Sequence, residues 1–261
     1  MYKLALALVL FIGSSIQAQD KKKEYHLNGT FTATQNGISL IPSFSLAKPA
    51  LLFDFNAGGR KLTFEPMFRF GTNARPWTFV FWWRYKMINS TKFKMSVGAH
   101  PSYVFNTITI NNNGTLEKIN RADRYFAFDL TPTWFFTRNT SAGLYYLQGR
   151  GLDKSSVRFS HFLTLNANFS HIKITGKYFA NFSPQIYYLN QAEKKGYYYT
   201  HSLTLAREKF PFSIQSIWNK AIKTDIPGKG FVWNIGLVYN FRKILQSTTN
   251  NDPGGTTPKP R

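Results

Sequence analysis

The chain has 261 residues, no cysteine, 17% aromatic residues and a formal net charge of +21 at pH 7. Lacking cysteine, it is not a disulfide-stapled scaffold. No run of 18 uninterrupted apolar residues occurs after the first nineteen, which excludes transmembrane helices.

Residues 1–19 read as a secretory signal. Lys3 supplies the charge, Leu4 to Ile12 the apolar core, and Gly13 to Gln19 a small and polar exit. That core is too short to span a bilayer as a helix. Export argues against nucleic acid as the partner of so basic a chain and leaves anionic lipid heads or anionic solutes. Residues 20–37, with Lys21-Lys22-Lys23, are expected to form a periplasmic or lumenal segment.

From residue 38 a two-residue alternation of apolar and polar side chains governs the sequence, the signature of strands with two unlike faces. Ile38, Leu40, Phe44 and Leu46 alternate with Ser39, Ser43 and Ser45, and Ala57-Gly58-Gly59 marks a hairpin turn. In Pro76-Trp-Thr-Phe-Val-Phe-Trp-Trp-Arg-Tyr-Lys-Met87, one face holds Trp77, Phe79, Phe81, Trp83 and Tyr85, the other Thr78, Val80, Trp82, Arg84 and Lys86. The pattern returns through Phe126/Phe128/Leu130, Leu163/Leu165 and Leu203/Leu205, and ends at Phe231 to Phe241. Only Ser141–Arg150 has ambiguous faces. No helical period competes. Residues 243–261, rich in Pro, Gly and polar residues, read as a disordered periplasmic tail.

Alternation alone fits a soluble barrel or sandwich with its apolar face inside, or a membrane barrel with that face on lipid. Two observations favour the membrane. The polar face is Ser, Thr, Asn and Gly, and charged residues make up 17% of the chain, against about 25–35% on a typical soluble surface. Aromatic residues crowd the strand ends, among them Trp77, Tyr85, Tyr103, Trp134, Tyr188, Trp218, Tyr239 and Phe241, as in an aromatic girdle.

The predicted strands are 38–46, 50–57, 60–71, 76–87, 91–105, 121–136, 140–150, 155–169, 171–188, 195–206, 209–221 and 229–242. The even number, twelve, suits a transmembrane antiparallel up-and-down β-barrel over residues 38–242. Leu27 to Thr34 is a candidate thirteenth, which parity argues against. With both ends periplasmic, the turns near Gly58, Met87–Thr91, Thr137–Thr140, Ser170 and Glu208 are short, and the longest connection, Asn106–Asn120, is extracellular.

The signal, the alternation and the final Val238-Tyr239-Asn240-Phe241 resemble bacterial (Gram-negative) outer-membrane β-barrel proteins of porin-like architecture. That resemblance implies insertion in the outer membrane, with the final strand and its terminal Phe read by the barrel-assembly machinery. Here Phe241 is followed by residues 242–261, a departure from the pattern.

On the lumenal face, Lys61, Arg84, Lys86, Lys92, Lys94 and Lys173 gather toward the periplasmic end as a basic collar suited to anions. The bland reading is solvated rim charge. Asp54, Glu65 and Asp129 are the acids of that face, and Asp54, Glu65, Arg69 and Arg84, on neighbouring strands, are expected to form an interior charge network. A second basic set, Arg75, Lys118, Arg121, Arg124, Lys194, Lys195, Lys223 and Lys229, lies in the outer loops, where lipid-head phosphates are the natural partner. His161 and His201 face lipid, but Leu163 and Leu203 stand where a lipid-cleaving site would carry serine. No cofactor motif or metal cluster is present. The expected function is a passive, anion-preferring channel for small solutes. The alternative is a closed barrel with a structural or partner-binding role, its lumen plugged by residues 20–37, and a lipid-active enzyme stands third.

Overall fold

The structure, a computed structural model, describes residues 24–112 and 114–246. The expected signal, 1–19, and all of the tail past Gln246 lie outside the described residues. Twelve antiparallel strands close into one barrel in which each strand pairs with its sequence neighbours and the first pairs with the last. They are β1 (Glu24–Thr34), β2 (Ala50–Gly58), β3 (Leu62–Gly71), β4 (Pro76–Asn89), β5 (Phe93–Asn112), β6 (Thr115–Phe135), β7 (Thr140–Gly151), β8 (Phe159–Thr175), β9 (Tyr178–Gln191), β10 (Lys194–Arg207), β11 (Phe212–Thr224) and β12 (Phe231–Gln246).

The barrel is inside-out relative to a soluble protein. Thr164 is 1% exposed, whereas Leu165 beside it is 58% exposed. The same contrast separates Thr200 from Leu203, and Asn234 from Trp233 and Ile235. Apolar side chains on the outer surface and hydroxyls and amides within are the arrangement of a transmembrane barrel, where closure also satisfies every strand edge.

The strand count agrees with the sequence reading, but the first strand does not. Residues 24–34, read as a periplasmic or lumenal segment, form β1, and residues 38–46, read as a strand, do not pair. Leu27 to Thr34, the candidate thirteenth strand, is thus the first, and parity counts against it only while 38–46 is counted as a strand; its outward face is small at Gly29 and Ala33. The rings of Phe31, Phe53, Phe55 and Phe241 cover that face instead. A Cβ on Gly29 would meet the Phe241 ring at 2.5 Å, so the ring lies across the glycine. Aromatic cover of a strand glycine restores the contact that glycine lacks.

Three further differences have local causes. The turn expected at Ser170 occurs at Gly176-Lys177, because a bulge with His171 at φ 53° lets β8 run on to Thr175. The expected loop Asn106–Asn120 is largely hairpin, with Ile108 opposite Ile119. Trp77, assigned to lipid, points inward and is 4% exposed, because the register shifts between Arg69 and Phe70 opposite it.

The first and last described residues, Glu24 and Gln246, lie at one rim of the barrel, the terminal rim. The other, the loop rim, carries the connections 35–49, 72–75, 152–158, 192–193 and 225–230 and the tip of the β5–β6 hairpin.

Candidate functional site: the lumen

Each strand contributes alternate side chains to the interior, where they enclose a cavity of about 880 Å³. Thr30, Thr32, Thr204, Ser213, Gln215 and Asn240 line one side, and Trp82, Tyr125, Tyr145 and Phe162 the other. The ambiguous faces of β7 are thereby explained. Leu144 and Tyr146 face out while Tyr145 and Leu147 face in, so both sides are apolar.

The roof of the cavity is the β1–β2 connection, which enters the barrel instead of leaving it. Its apolar side chains, Ile38, Leu40, Ile41 and Phe44, have the spacing of a strand but pack into a lumenal core. Leu40 and Ile41 lie against Phe162, Tyr187, Leu189, Tyr198 and Ile226, and Phe44 meets Tyr125 edge-on at 5.3 Å. One 3-10 turn at Pro42–Phe44 bends the segment back.

The predicted charge network is present, in two parts. Arg69 approaches Asp54 at 3.7 Å. Arg84 pairs with Glu65 at 2.9 Å and with Asp129, which the sequence reading placed on the lumenal face without assigning it to the network. Glu65 also accepts from Asn56 Nδ2 (2.8 Å) and the Thr63 hydroxyl (2.9 Å), while Arg84 lies 4.1 Å over the Trp82 ring. These groups brace the β2–β6 wall. Asp129 has a fully buried side chain, so its charge depends on that guanidinium.

Arg84 is therefore a network residue and not a free member of the basic collar. Lys61, Lys86, Lys92 and Lys94 sit on adjacent strands or turns at the terminal rim, joined by backbone contacts such as Lys86 N–H to Lys61 O (2.8 Å). Lys94 also covers the Phe135 ring at 4.8 Å. Lys173 lies apart, on β8. The arc is completed by Arg60, Arg138 and Lys209, which the sequence reading passed over, and by Lys177. Every turn at this rim carries a cation: Arg60 and Lys61, Lys92, Arg138, Lys177 and Lys209. All are exposed, and none forms an ion pair with another described residue. Reading the turns as a set, and not only the strand faces, would have revealed them.

At the loop rim the charges are arranged differently. Arg121 pairs with Asp123 at 3.0 Å, and Asp123 also accepts from Asn106 and Ser155. Arg124 holds Asp153 at 2.7 Å. Of the expected lipid-phosphate set, these two arginines are engaged within the chain. Arg75, Lys118, Lys194, Lys195, Lys223 and Lys229 form no ion pair with a described residue. His161 and His201 lie on the outer face, His161 bonded to the Tyr146 hydroxyl (2.9 Å) and His201 among Phe182, Tyr199 and Trp218.

A closed twelve-stranded barrel with an apolar exterior and hydroxyl and amide side chains facing inward has the fold of porin-like bacterial outer-membrane proteins. The solved structures it resembles include the KdgM porin in complex with disordered oligogalacturonate, at 10% identity and a TM-score of 0.52, over 83% of this chain and 99% of that one. The KdgM porin alone gives a TM-score of 0.53 at the same identity, over 82% of this chain and 99% of that one. The NanC porin gives 0.44 at 9% identity, over 85% and 99%. No protein-family model and no characterised protein sequence matches the chain.

Proposed function

We propose that this protein is a passive outer-membrane channel for small solutes, with a preference for anions. The observation that carries the reading is a lumen of about 880 Å³, lined by hydroxyl, amide, aromatic and aliphatic side chains, inside a lipid-facing barrel. A chain with no such lumen would have no route for solute. The preference for anions is supported by the unpaired cations in every turn at the terminal rim. Rings of basic side chains raise the local concentration of anions and select them. On the periplasmic placement of the chain ends, this rim is the inner mouth.

The lining adds a solute class. Hydroxyls and amides beside flat aromatic faces suit polar ring compounds, whose hydroxyls need partners and whose apolar faces need cover. Anionic carbohydrates combine that shape with the charge the rim favours. They are the first class to test, and the KdgM porin has been captured with such a molecule.

Refolded protein in a planar bilayer gives the test. Steady conductance and a reversal potential toward chloride in a salt gradient are expected. Stable insertion without conductance, in this chain and in a variant whose lumenal loop has been excised, would refute the channel.

A further inference from the structure

We infer that the β1–β2 connection, Asn36–Lys48, is a latched closure of the channel's outer mouth and sets the size of what passes. This rests on the channel reading above and adds to it the element that regulates passage.

Fixation is the first argument. A surface loop hydrogen-bonds to water and to itself. This one is tied to separate parts of the wall. The Trp77 indole N–H on β4 donates to Phe44 O (2.7 Å), and the Tyr187 hydroxyl on β9 donates to Leu40 O (2.8 Å). On β12 the Asn234 amide donates to Asn36 O (3.2 Å), while the Asn36 amide donates to Trp233 O (3.0 Å). With Phe44 against Tyr125 on β6, the loop touches the wall on several sides of the lumen. A segment fixed in this way crosses the opening.

The latches are themselves positioned. Tyr187 is 1% exposed, stacked on Tyr198 at 4.8 Å, and its oxygen accepts from the Asn219 amide (2.8 Å). Its single proton has Leu40 O as the nearer acceptor (2.8 Å) and Asn219 Oδ1 as the farther (3.1 Å). None of this is needed to close the barrel, whose strands pair without it.

The neck of the loop is the second argument. Gly37 N–H donates to Lys48 O (2.8 Å), and Leu46 and Ala47 N–H donate to Gly37 O (3.0 and 3.1 Å). A Cβ at residue 37 would stand 3.0 Å from both the Ala50 Cβ and the Trp77 ring, so glycine lets the neck pinch shut against the wall. The bond from Gly37 N–H to Lys48 O joins two residues outside 38–46, and of that stretch only Leu46 shares in the neck. Residues 38–46 therefore form an insert.

The third argument concerns what opens it. Residues 36–47 carry no charged side chain. A transmembrane potential acts on a segment through its charge, so this one has no direct handle for voltage. Its release depends on competition for the latching hydrogen bonds and the aromatic contacts.

The experiment compares three refolded proteins in planar bilayers: the unaltered chain, a chain lacking residues 38–46, and Trp77→Phe with Tyr187→Phe. Retained heat-modifiable mobility on a denaturing gel certifies each barrel. The expected result is several-fold higher unitary conductance for the deletion, with no added voltage dependence. The double substitution keeps an aromatic ring at each position but removes both donors, and should show openings that the unaltered chain lacks. Equal conductance in all three would overturn the inference and leave the channel intact. Absence of conductance from the folded deletion would overturn both. Should the deletion not fold, unchanged conductance in the double substitution alone overturns the closure.

Discussion

The two rims of the barrel use the same residue types for opposite purposes. At the loop rim Arg121 and Arg124 are tied to Asp123 and Asp153, and those carboxylates collect Asn106 and Ser155 as well. At the terminal rim the cations of the five turns stand exposed and form no ion pair among the described residues. A charge in an ion pair orders its neighbours, and its field is largely cancelled. An unpaired one orders nothing and acts at a distance, within a Debye length of about 8–10 Å. The position of arginine or lysine therefore says less than the presence of a carboxylate opposite.

That contrast is sharpened most by the charges between the rims. Arg84→Met leaves Glu65 and the buried Asp129 facing each other without a cation, and should cost about 3–5 kcal/mol. A lowered urea midpoint for the heat-modifiable band is the readout. An unchanged midpoint would mean that the β2–β6 wall does not depend on its charges. Tyr187→Phe removes one donor and strands the Asn219 amide, for an expected loss of about 1–3 kcal/mol in the same assay. No change there would show that the lumenal core holds the loop without the hydroxyl.

The rim itself is tested by Lys92→Glu with Lys94→Glu. Stability should stay the same while the reversal potential moves away from chloride. Raising salt toward about 1 M, where the Debye length falls to about 3 Å, should erase the difference. A stability loss instead would place these lysines in the structural class. The smallest effect belongs to Asp153. Hydrogen bonds from Arg124 hold its carboxyl below the ordinary carboxylate range. Its tie to β6 is thus complete above the unfolded value of about 4 and is lost as pH falls through the depressed folded value. Amide exchange across residues 152–157 should quicken only below that window, and Arg124→Gln should remove the dependence. Quickening at neutral pH in the unaltered chain would break the assignment.

Much of this was legible in the sequence, because a two-residue period maps directly onto two faces. The outward set from Phe79 to Tyr85, the inward Arg84 and the final strand follow from alternation alone. The failures share one physical cause, that the period records which environment a side chain meets and not whether its backbone is paired. Ile38, Leu40 and Phe44 alternate with serines because they enter an apolar core inside the lumen. β1, offered over Leu27 to Thr34 as a thirteenth strand, is set aside by parity only because residues 38–46 are counted in its place; its outward Gly29 and Ala33 are covered by rings from β2 and β12. Trp77 was misplaced because one shift of register reverses a side chain's face. Asp129 stood on the right face, but pairing across β3, β4 and β6 is visible only once strands are in register.

The β1–β12 seam has a temporal consequence. Its eleven residue pairs run from Glu24 with Gln246 to Thr34 with Gly236, and the Thr34 hydroxyl reaches Ile235 O across 201 residues of sequence. Every other strand pair joins neighbours in the chain and can zip locally, whereas this one waits until the last strand has been made. Until then the cylinder is an open sheet with two bare edges, the state most prone to pairing with the wrong chain. Phe241, lying across Gly29, is the side chain that arrives with the final strand to cover the first. Assembly of this protein is thus committed, or lost, at the 16 residues of β12, long after the lumen and its loop have their sequence in hand.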